Sequence, residues 1–339
     1  MDQRDILKDD LLLISERTEE FIKDLIGSRI LITGGTGFLG TWILISLVHL
    51  NKIFSLSCEI LVISRSPSSF LSKHPYLTKE KCLTFIETDI LKLPGNLGSF
   101  THVIHGATDT SLQANTEDVI VEGTSRLLKF YGQSNTHSLT FLSSGAVYGE
   151  QPQRINSVTE DSYSFQDSLN NDSYGNSKRY AEELILGHGE IKRVSIARCF
   201  SFLGPFMHFN QQFAIGNFIK SAFEGHQINL NSDGTSIRTF LYAADFSVWI
   251  LKILLRGRNK LIMNVGSDFE INIKEVASLV SKLMGNNIEV SINADRSVNR
   301  SRYVPSINKA RKTLDLDVWT DFELALRKTC LWYKETIQS

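Results

Sequence analysis

Tyr174 and Lys178 stand four residues apart in Tyr174-Gly175-Asn176-Ser177-Lys178, at the start of a stretch with helical character. That spacing puts both side chains on one face of a helix. A phenol titrates near pH ~10 and exchanges protons poorly at neutrality, but an adjacent ammonium favours the phenolate and lowers that value. The pair could then work as a general acid and base, although a surface tyrosine and lysine on a helix give the same pattern. About 30 residues upstream, Phe141-Leu142-Ser143-Ser144-Gly145-Ala146-Val147-Tyr148-Gly149 closes an apolar run with hydroxyls. A hydroxyl on Ser144 could hydrogen-bond a carbonyl oxygen and hold it beside the phenol; an ordinary loop reads the same way. About 100 residues earlier again comes Thr33-Gly34-Gly35-Thr36-Gly37-Phe38-Leu39-Gly40, between the apolar residues 29–32 and a helix-like run at 42–50.

Strand, glycine loop and helix, in that order, form a dinucleotide pyrophosphate site. Gly34 turns the chain off the strand, Gly37 lets the backbone approach phosphates, and Gly40 lets the helix pack closely on the sheet. The helix N-terminus presents free N–H groups and a partial positive charge to the anion. Turns and helix caps also use glycine. The glycine loop, the serine run and the Tyr-x-x-x-Lys pair occurring together in this order are hard to obtain by chance.

The elements that must hold these groups are legible as alternating runs. Strands are expected at 30–33, 60–64, 83–87, 102–105, 139–143 and 194–197, with long helices at 115–131 and 174–186. Such alternation predicts an α/β fold with a parallel sheet covered on both faces. After residue 197 the rhythm changes: 200–205 reads as a turn, 211–223 as an amphipathic helix, 229–235 as a polar loop and 244–255 as a helix. Further helices are expected at 273–284 and near 321–334. Residues 5–26 have roughly helical spacing ahead of the first strand and are expected to be a packing extension. The division expected is an N-terminal helical extension (1–26), a dinucleotide-binding domain (27–198, with 236–262 returning to it), and a smaller lobe (199–235 and 263–339) over the C-terminal edge of the sheet, where doubly wound folds bind ligands.

With 339 residues and a net charge of −1, acids and bases interspersed, the chain carries no nucleic-acid footprint. Its apolar run at 11–14 is too short for a signal or membrane anchor, so a cytoplasmic protein with no membrane partner is expected. Cys58, Cys82, Cys199 and Cys330 lie far apart, with neither metal-ligand spacing nor a paired framework, and are expected as buried thiols in a reducing compartment.

On these motifs the chain resembles the extended short-chain dehydrogenase/reductase family of nucleotide-sugar enzymes, from Arg29 to about Leu316. Arg198-Cys199-Phe200-Ser201-Phe202-Leu203-Gly204-Pro205 and Asp233-Gly234-Thr235-Ser236-Ile237-Arg238-Thr239-Phe240 look like that family's substrate-lobe signatures. The resemblance implies a Rossmann-like doubly wound sheet with a smaller α/β substrate lobe. It makes Tyr174 the general acid/base, Lys178 the residue that tunes it and holds the nicotinamide ribose, and Ser144 the catalytic hydroxyl. Thr33, Gly34, Gly37, Phe38, Leu39, Gly40, Ser64, Arg65, Asp89, Ile90, His105, Gly106 and Ala107 would meet the cofactor. Ser144, Gly145 and Ser201 would face the substrate, and Arg238 and Arg302 would neutralise its diphosphate, although either arginine could equally be a surface residue.

Departures from the family pattern narrow the reading. Sugar 4,6-dehydratases carry an Asp-Glu pair directly after the catalytic Ser/Thr, and here Gly145 and Ala146 stand there, so dehydration is not expected. Ile120 and Ser201 replace residues that are often Asn in relatives. The second strand ends Val62-Ile63-Ser64-Arg65-Ser66, without the carboxylate that would accept the ribose hydroxyls of NAD. Serine and arginine suit a 2′-phosphate, so NADP(H) is expected, with NAD(H) as the alternative if Arg65 stacks on adenine or faces water. The resulting expectation is a reductase of a nucleotide-linked, dTDP-favoured 4-keto-6-deoxyhexose supplying surface polysaccharide, with a 4-epimerase holding NAD tightly as the alternative. A non-catalytic dinucleotide-binding protein would show a damaged triad, and Ser144, Tyr174 and Lys178 are intact. The resemblance also implies a homodimer through helices 115–131 and 174–186, whose apolar faces the sheet itself could bury.

Overall fold

Seven parallel strands form the central sheet of the computed structural model, which describes residues 3–108, 116–132, 135–162, 173–207, 214–230, 232–285, 288–292 and 301–338. They are β1 (Arg29–Thr33), β2 (Glu59–Ser64), β3 (Leu83–Glu87), β4 (His102–His105), β5 (Ser138–Ser144), β6 (Val194–Cys199) and β7 (Leu261–Val265). Their spatial order is β7-β6-β5-β4-β1-β2-β3, all parallel. The order reverses between β1 and β4, and such a switch point opens a crevice at the carboxyl ends of the strands.

The inner strands β1 and β2 are nearly continuously apolar and buried because both faces are covered, whereas the edge strand β3 is only partly covered. Side chains alternate between faces, so Ile30 and Ile32 enter one core while Leu31 enters the other. The first core is closed by α1 (Gln3–Thr18), α2 (Phe38–Ile53) and, later in the chain, α7 (Ala243–Arg256), with Trp42, Phe246 and Trp249 fully buried. Against the β3 edge of the sheet packs α3 (Pro67–Lys73), whose Phe70 ring lies 5.8 Å from that of Phe85. The second core lies under α4 (Thr116–Tyr131) and α5 (Ser173–Gly187), which bury Ile120, Leu127, Ala181 and Ile185 on the sheet. The first residue of the helix expected at 115–131 and residues 211–213 lie outside the described residues.

The later chain builds the rest around α6 (Ala214–Phe223), α8 (Ile273–Met284), α9 (Asn308–Leu314) and α10 (Phe322–Gln338). α8 starts at a reciprocal cap, where the Asn272 side chain accepts from the Glu275 N–H and Glu275 accepts from the Asn272 N–H. Ile237–Arg238 lies between Ile271–Asn272, antiparallel to it, and Arg302–Tyr303, parallel to it. Two expectations need correction. The turn expected at 200–205 contains a short strand, Phe202–Leu203, paired with Leu241–Tyr242; the polar loop expected at 229–235 begins inside Ile228–Leu230, paired with Val290–Ile292. Backbone pairing to a partner distant in sequence leaves no local pattern in two or three residues.

The strand missing from the sequence reading is β7. Its apolar run is broken by Asn264, which is fully buried: its amide donates to the carbonyls of Val158 and Ser306 and its oxygen accepts from the Tyr148 hydroxyl at 2.7 Å. A buried polar residue is stable when so paired. The N-terminal segment forms α1 and a 3₁₀ turn at Ile22–Leu25. It is tied down by Asp10, which accepts from Lys328 Nζ at 2.5 Å and from the Tyr242 hydroxyl at 2.6 Å. No helix of the described residues is long and apolar enough to cross a membrane. The four cysteines are free thiols; three are buried, whereas Cys82, expected to be buried, is partly exposed.

Candidate active site

The glycine loop leaves β1 at Thr33. Gly34 adopts φ +74°, a left-handed conformation that favours glycine, and a Cβ there would lie 2.5 Å from the Gly106 carbonyl oxygen. A Cβ on Gly40 would lie 2.1 Å from the Gly34 carbonyl oxygen, so α2 rests directly on the loop. Gly37, by contrast, has only the Gly34 carbonyl oxygen near its missing Cβ, at 3.5 Å, and it borders the cleft. Gly37 caps α2 without a side-chain hydrogen bond, and the N–H groups of Phe38, Leu39 and Gly40, residues that border the cleft, have no intrahelical partners.

Beneath the loop runs a buried relay whose proton positions are fixed by its ends. Thr124 donates to the Ile120 carbonyl at 2.6 Å, so its oxygen accepts from His105 Nε2 at 2.9 Å. His105 Nδ1 therefore accepts from the Thr33 hydroxyl at 2.6 Å, and Thr33 Oγ1 accepts from the Ala107 N–H at 3.2 Å. Burial, aided by the nearby Lys178 ammonium, pushes the His105 imidazole down to about 3, which keeps it neutral as this tautomer requires. The relay joins β1, β4 and α4 and fixes the turn at Gly106–Ala107.

Tyr174, Lys178 and Glu182 follow one another at helical spacing along α5, facing the end of β5. Lys178 is almost wholly buried; its ammonium donates to the Leu142 carbonyl at 2.9 Å and lies 5.9 Å from the centre of the Tyr174 ring. Burial lowers the Lys178 amine to about 8, opposed by Cys199 and by the Glu182 carboxylate. The Cys199 thiol is itself pushed up to about 12, so at neutral pH Glu182 supplies the opposing charge. Glu182 is held from both neighbouring strands: Ser143 donates to it at 2.5 Å and Arg198 pairs with it at 2.7 Å. Ser144, one residue beyond, accepts from the Ala146 N–H at 3.1 Å.

One cleft of about 1030 Å³ gathers most of the residues expected to do chemistry. Gly34, Gly37, Phe38, Leu39, Gly40, Ser64, Arg65, Asp89, Ile90, Gly106, Ala107, Ser144, Tyr174, Lys178, Ser201 and Arg238 all border it. Thr33 and His105 stand behind its wall, in the relay. Asp89 gives one carboxylate oxygen to the Leu91 N–H at 2.8 Å, capping a 3₁₀ turn. Arg238 is held by the Ile237 carbonyl at 2.8 Å and by Ser301 Oγ at 3.0 Å. Arg302 is placed elsewhere: its guanidinium pairs with Glu270 at 2.5 Å and donates to the Asn156 carbonyl, and it does not border the cleft. Gly145 is also off the cleft wall, covered by the Tyr303 hydroxyl and the Phe200 ring. Sequence reasoning missed two site residues. Glu182 was findable as the next same-face position after Lys178; Tyr303 gave no signal, because only the pairing of its strand with Ile237–Arg238 brings it here.

A sequence model of the NAD dependent epimerase/dehydratase family matches residues 30–266. The chain belongs to that family. The motif reading of an extended short-chain dehydrogenase/reductase enzyme agrees with this membership. Among its relatives, UDP-glucuronic acid decarboxylase 1 of Xenopus tropicalis is 24% identical over 326 residues, covering 94% of this chain and 75% of the relative. The dTDP-D-glucose 4,6-dehydratase of Mus musculus is 24% identical over 336 residues, covering 92% of this chain and 90% of the relative. The crystal structure of dTDP-glucose 4,6-dehydratase from Bacillus anthracis in complex with NAD superposes with a TM-score of 0.78, at 22% identity, over 92% of this chain and 98% of that one.

The residues present fit the dinucleotide that gives the family its name. The uncrowded Gly37 at the cleft border, three N–H groups of α2 free of intrahelical partners, and the close-packed Gly34 and Gly40 make an anion cradle at a helix N-terminus. Ser64 stands at the tip of β2, 3.3 Å from the Thr36 hydroxyl, where the ribose of a dinucleotide lies in doubly wound folds.

Proposed function

We propose that the protein is an NADPH-dependent reductase of a nucleotide-linked 4-keto-6-deoxyhexose, the dTDP-linked sugar first, in the supply of surface polysaccharide. The observation that carries this reading is the wall of the cleft beside the glycine loop. Ser144, Tyr174 and Lys178 border it together, and the two residues after Ser144 are Gly145 and Ala146, which exchange no proton. Elimination of water needs groups that move protons at that point; addition of hydride and a proton to a ketone does not.

A nicotinamide dinucleotide held by the glycine loop and by Lys178 would supply the hydride for C4. Tyr174 gives a proton to the C4 oxygen, Ser144 hydrogen-bonds the same oxygen, and the Lys178 ammonium stabilises the phenolate left behind. Arg238 meets the substrate diphosphate, and the lobe built from residues 199–235 and the chain beyond β7 selects nucleotide and sugar. Support for NADPH is the serine and arginine at the end of β2, both bordering the cleft. The protein acts in the cytoplasm as a homodimer through α4 and α5, a reading supported by Tyr180, a large side chain 53% exposed on α5; light scattering on the purified protein tests it.

The reaction is tested with dTDP- and UDP-linked 4-keto-6-deoxy sugars, each with NADPH or NADH, following absorbance of the reduced cofactor and identifying products. UDP-glucuronic acid and UDP-glucose with NAD form control arms. Loss of NADPH with formation of a 6-deoxyhexose supports the proposal. Interconversion at C4 by protein that retains nucleotide through dialysis would replace it with an epimerase, and pentose formation from UDP-glucuronic acid with a decarboxylase.

A further inference from the structure

Ser236 directly precedes the strand Ile237–Arg238, so it stands two residues before Arg238, a spacing that puts both side chains on one face. Both residues border the cleft. Ser301 precedes the neighbouring strand Arg302–Tyr303, whose register sets Arg302 beside Ile237, and its side chain reaches both cleft residues. Arg238 donates through one terminal nitrogen to Ser301 Oγ at 3.0 Å, and through the other to the carbonyls of Ile237 at 2.8 Å and Ser301 at 3.3 Å. Ser301 Oγ in turn donates to Ser236 Oγ at 3.1 Å.

These bonds set the order of the protons. A serine hydroxyl has one proton and two lone pairs. Ser301 takes an Arg238 N–H into a lone pair and gives its own proton to Ser236. Ser236 uses a lone pair for that bond, and among the described residues nothing accepts its proton, although the residue is only 9% exposed. Arg238 is incomplete in the same way: its hydrogen bonds go to uncharged groups, and no carboxylate pairs with it among the described residues. A partly buried guanidinium without a counter-charge, beside a hydroxyl whose proton is unclaimed, is complementary to an anionic oxygen group.

We infer that Ser236 is a second donor to the anion that Arg238 meets, and that Ser301 is the positioning residue that holds the guanidinium and leaves the Ser236 proton for the cleft. The ligand group is a diphosphate; that it belongs to a nucleotide sugar rests on the function proposed above.

The test uses the full-length protein and its Ser236→Ala, Ser301→Ala, Ser301→Thr and Arg238→Met variants. Binding of dTDP, inorganic pyrophosphate and thymidine is measured by calorimetry with NADPH saturating, so that the glycine loop is filled, beside melting temperature. Ser236→Ala and Ser301→Ala are each expected to weaken dTDP and pyrophosphate about tenfold, the effect of one hydrogen bond to a charged group. Thymidine affinity and melting temperature should be nearly unchanged, and Ser301→Thr, which keeps the hydroxyl, should bind like wild type. Should Ser236→Ala fail to fold, the loss in Ser301→Ala and its rescue in Ser301→Thr decide the matter. Undiminished dTDP and pyrophosphate binding in the alanine variants, an equal loss for thymidine, or a wild type that binds neither anion would overturn the inference. A loss in Arg238→Met without one in Ser236→Ala overturns this inference alone. The converse supports Ser236 and removes the role proposed for Arg238, and a wild type that binds pyrophosphate but not dTDP, with the losses as expected, supports the two serines and removes the nucleotide.

Discussion

Lys178 shows how burial sets chemistry at the scale of one residue. Its amine is held at about 8, below the ordinary 10.5, chiefly because the protein interior disfavours its charge. The unfolded chain therefore holds this proton up to higher pH than the folded one. The buried ammonium costs stability below about 8, and that cost fades as pH rises from 8 toward 10.5. In urea unfolding, the stability of wild type relative to Lys178→Met is expected to rise with pH across that window; a flat difference would contradict the assignment. Arg65 bears on cofactor choice. Arg65→Asp removes a cation and places a carboxylate where ribose hydroxyls would be received, and should move the preference from NADPH toward NADH. The ratio of kcat/KM values for the two cofactors measures this, and an unchanged ratio would remove the argument for the phosphate.

At the scale of elements, the loop between β1 and α2 makes a paired prediction. In Gly40→Ala the new methyl group meets a carbonyl oxygen of the loop itself, so backbone must move, and both stability and dinucleotide affinity should fall. In Gly37→Ala the methyl group meets only the Gly34 carbonyl oxygen, at an ordinary contact distance of 3.5 Å, at the border of the cleft proposed to hold the dinucleotide. Unfolding should then change by less than about 0.5 kcal/mol, the ordinary range for a surface substitution, while affinity falls at least tenfold. Titration of NADPH fluorescence and urea unfolding separate the two outcomes; equal effects on both would contradict the cradle. These elements were legible in the sequence because their signals are local: continuous apolar runs for β1 to β6, glycines at fixed offsets, and a four-residue spacing on α5. What was not legible depends on distant partners. Asn264 hid β7 by interrupting its apolar run, and only the folded chain shows its hydrogen bonds to Tyr148, Val158 and Ser306. His105 was expected against the cofactor and instead holds the loop from behind, a role that depends on Thr124, nineteen residues away.

At the scale of the whole molecule, the two ends of the chain meet. Asp10 on α1 and Lys328 on α10 are both buried, and Tyr242 completes the group. Burial raises the Asp10 carboxyl in spite of Lys328, so the pair gains little over an apolar contact but is costly to break. Asp10→Ala leaves the Lys328 ammonium without its partner and should lower unfolding free energy by about 3–5 kcal/mol, with Lys328→Met in the same chain recovering part of the loss. The sequence showed α1 as an amphipathic extension, but nothing in it linked residue 10 to residue 328. The same holds for the substrate side of the cleft, where both arginines were expected: Arg238 borders it, whereas Arg302, on the neighbouring strand, pairs with Glu270.

As proposed, Tyr174 transfers the proton in a site that holds the dinucleotide with or without its phenol. This is tested most directly by comparing wild type with Tyr174→Phe in the reduction of dTDP-4-keto-6-deoxyglucose, following NADPH at 340 nm, with NADPH affinity measured in parallel. The expected result is a kcat lower by about 10²- to 10⁴-fold with affinity unchanged. Turnover by the phenylalanine variant at the wild-type rate would contradict it.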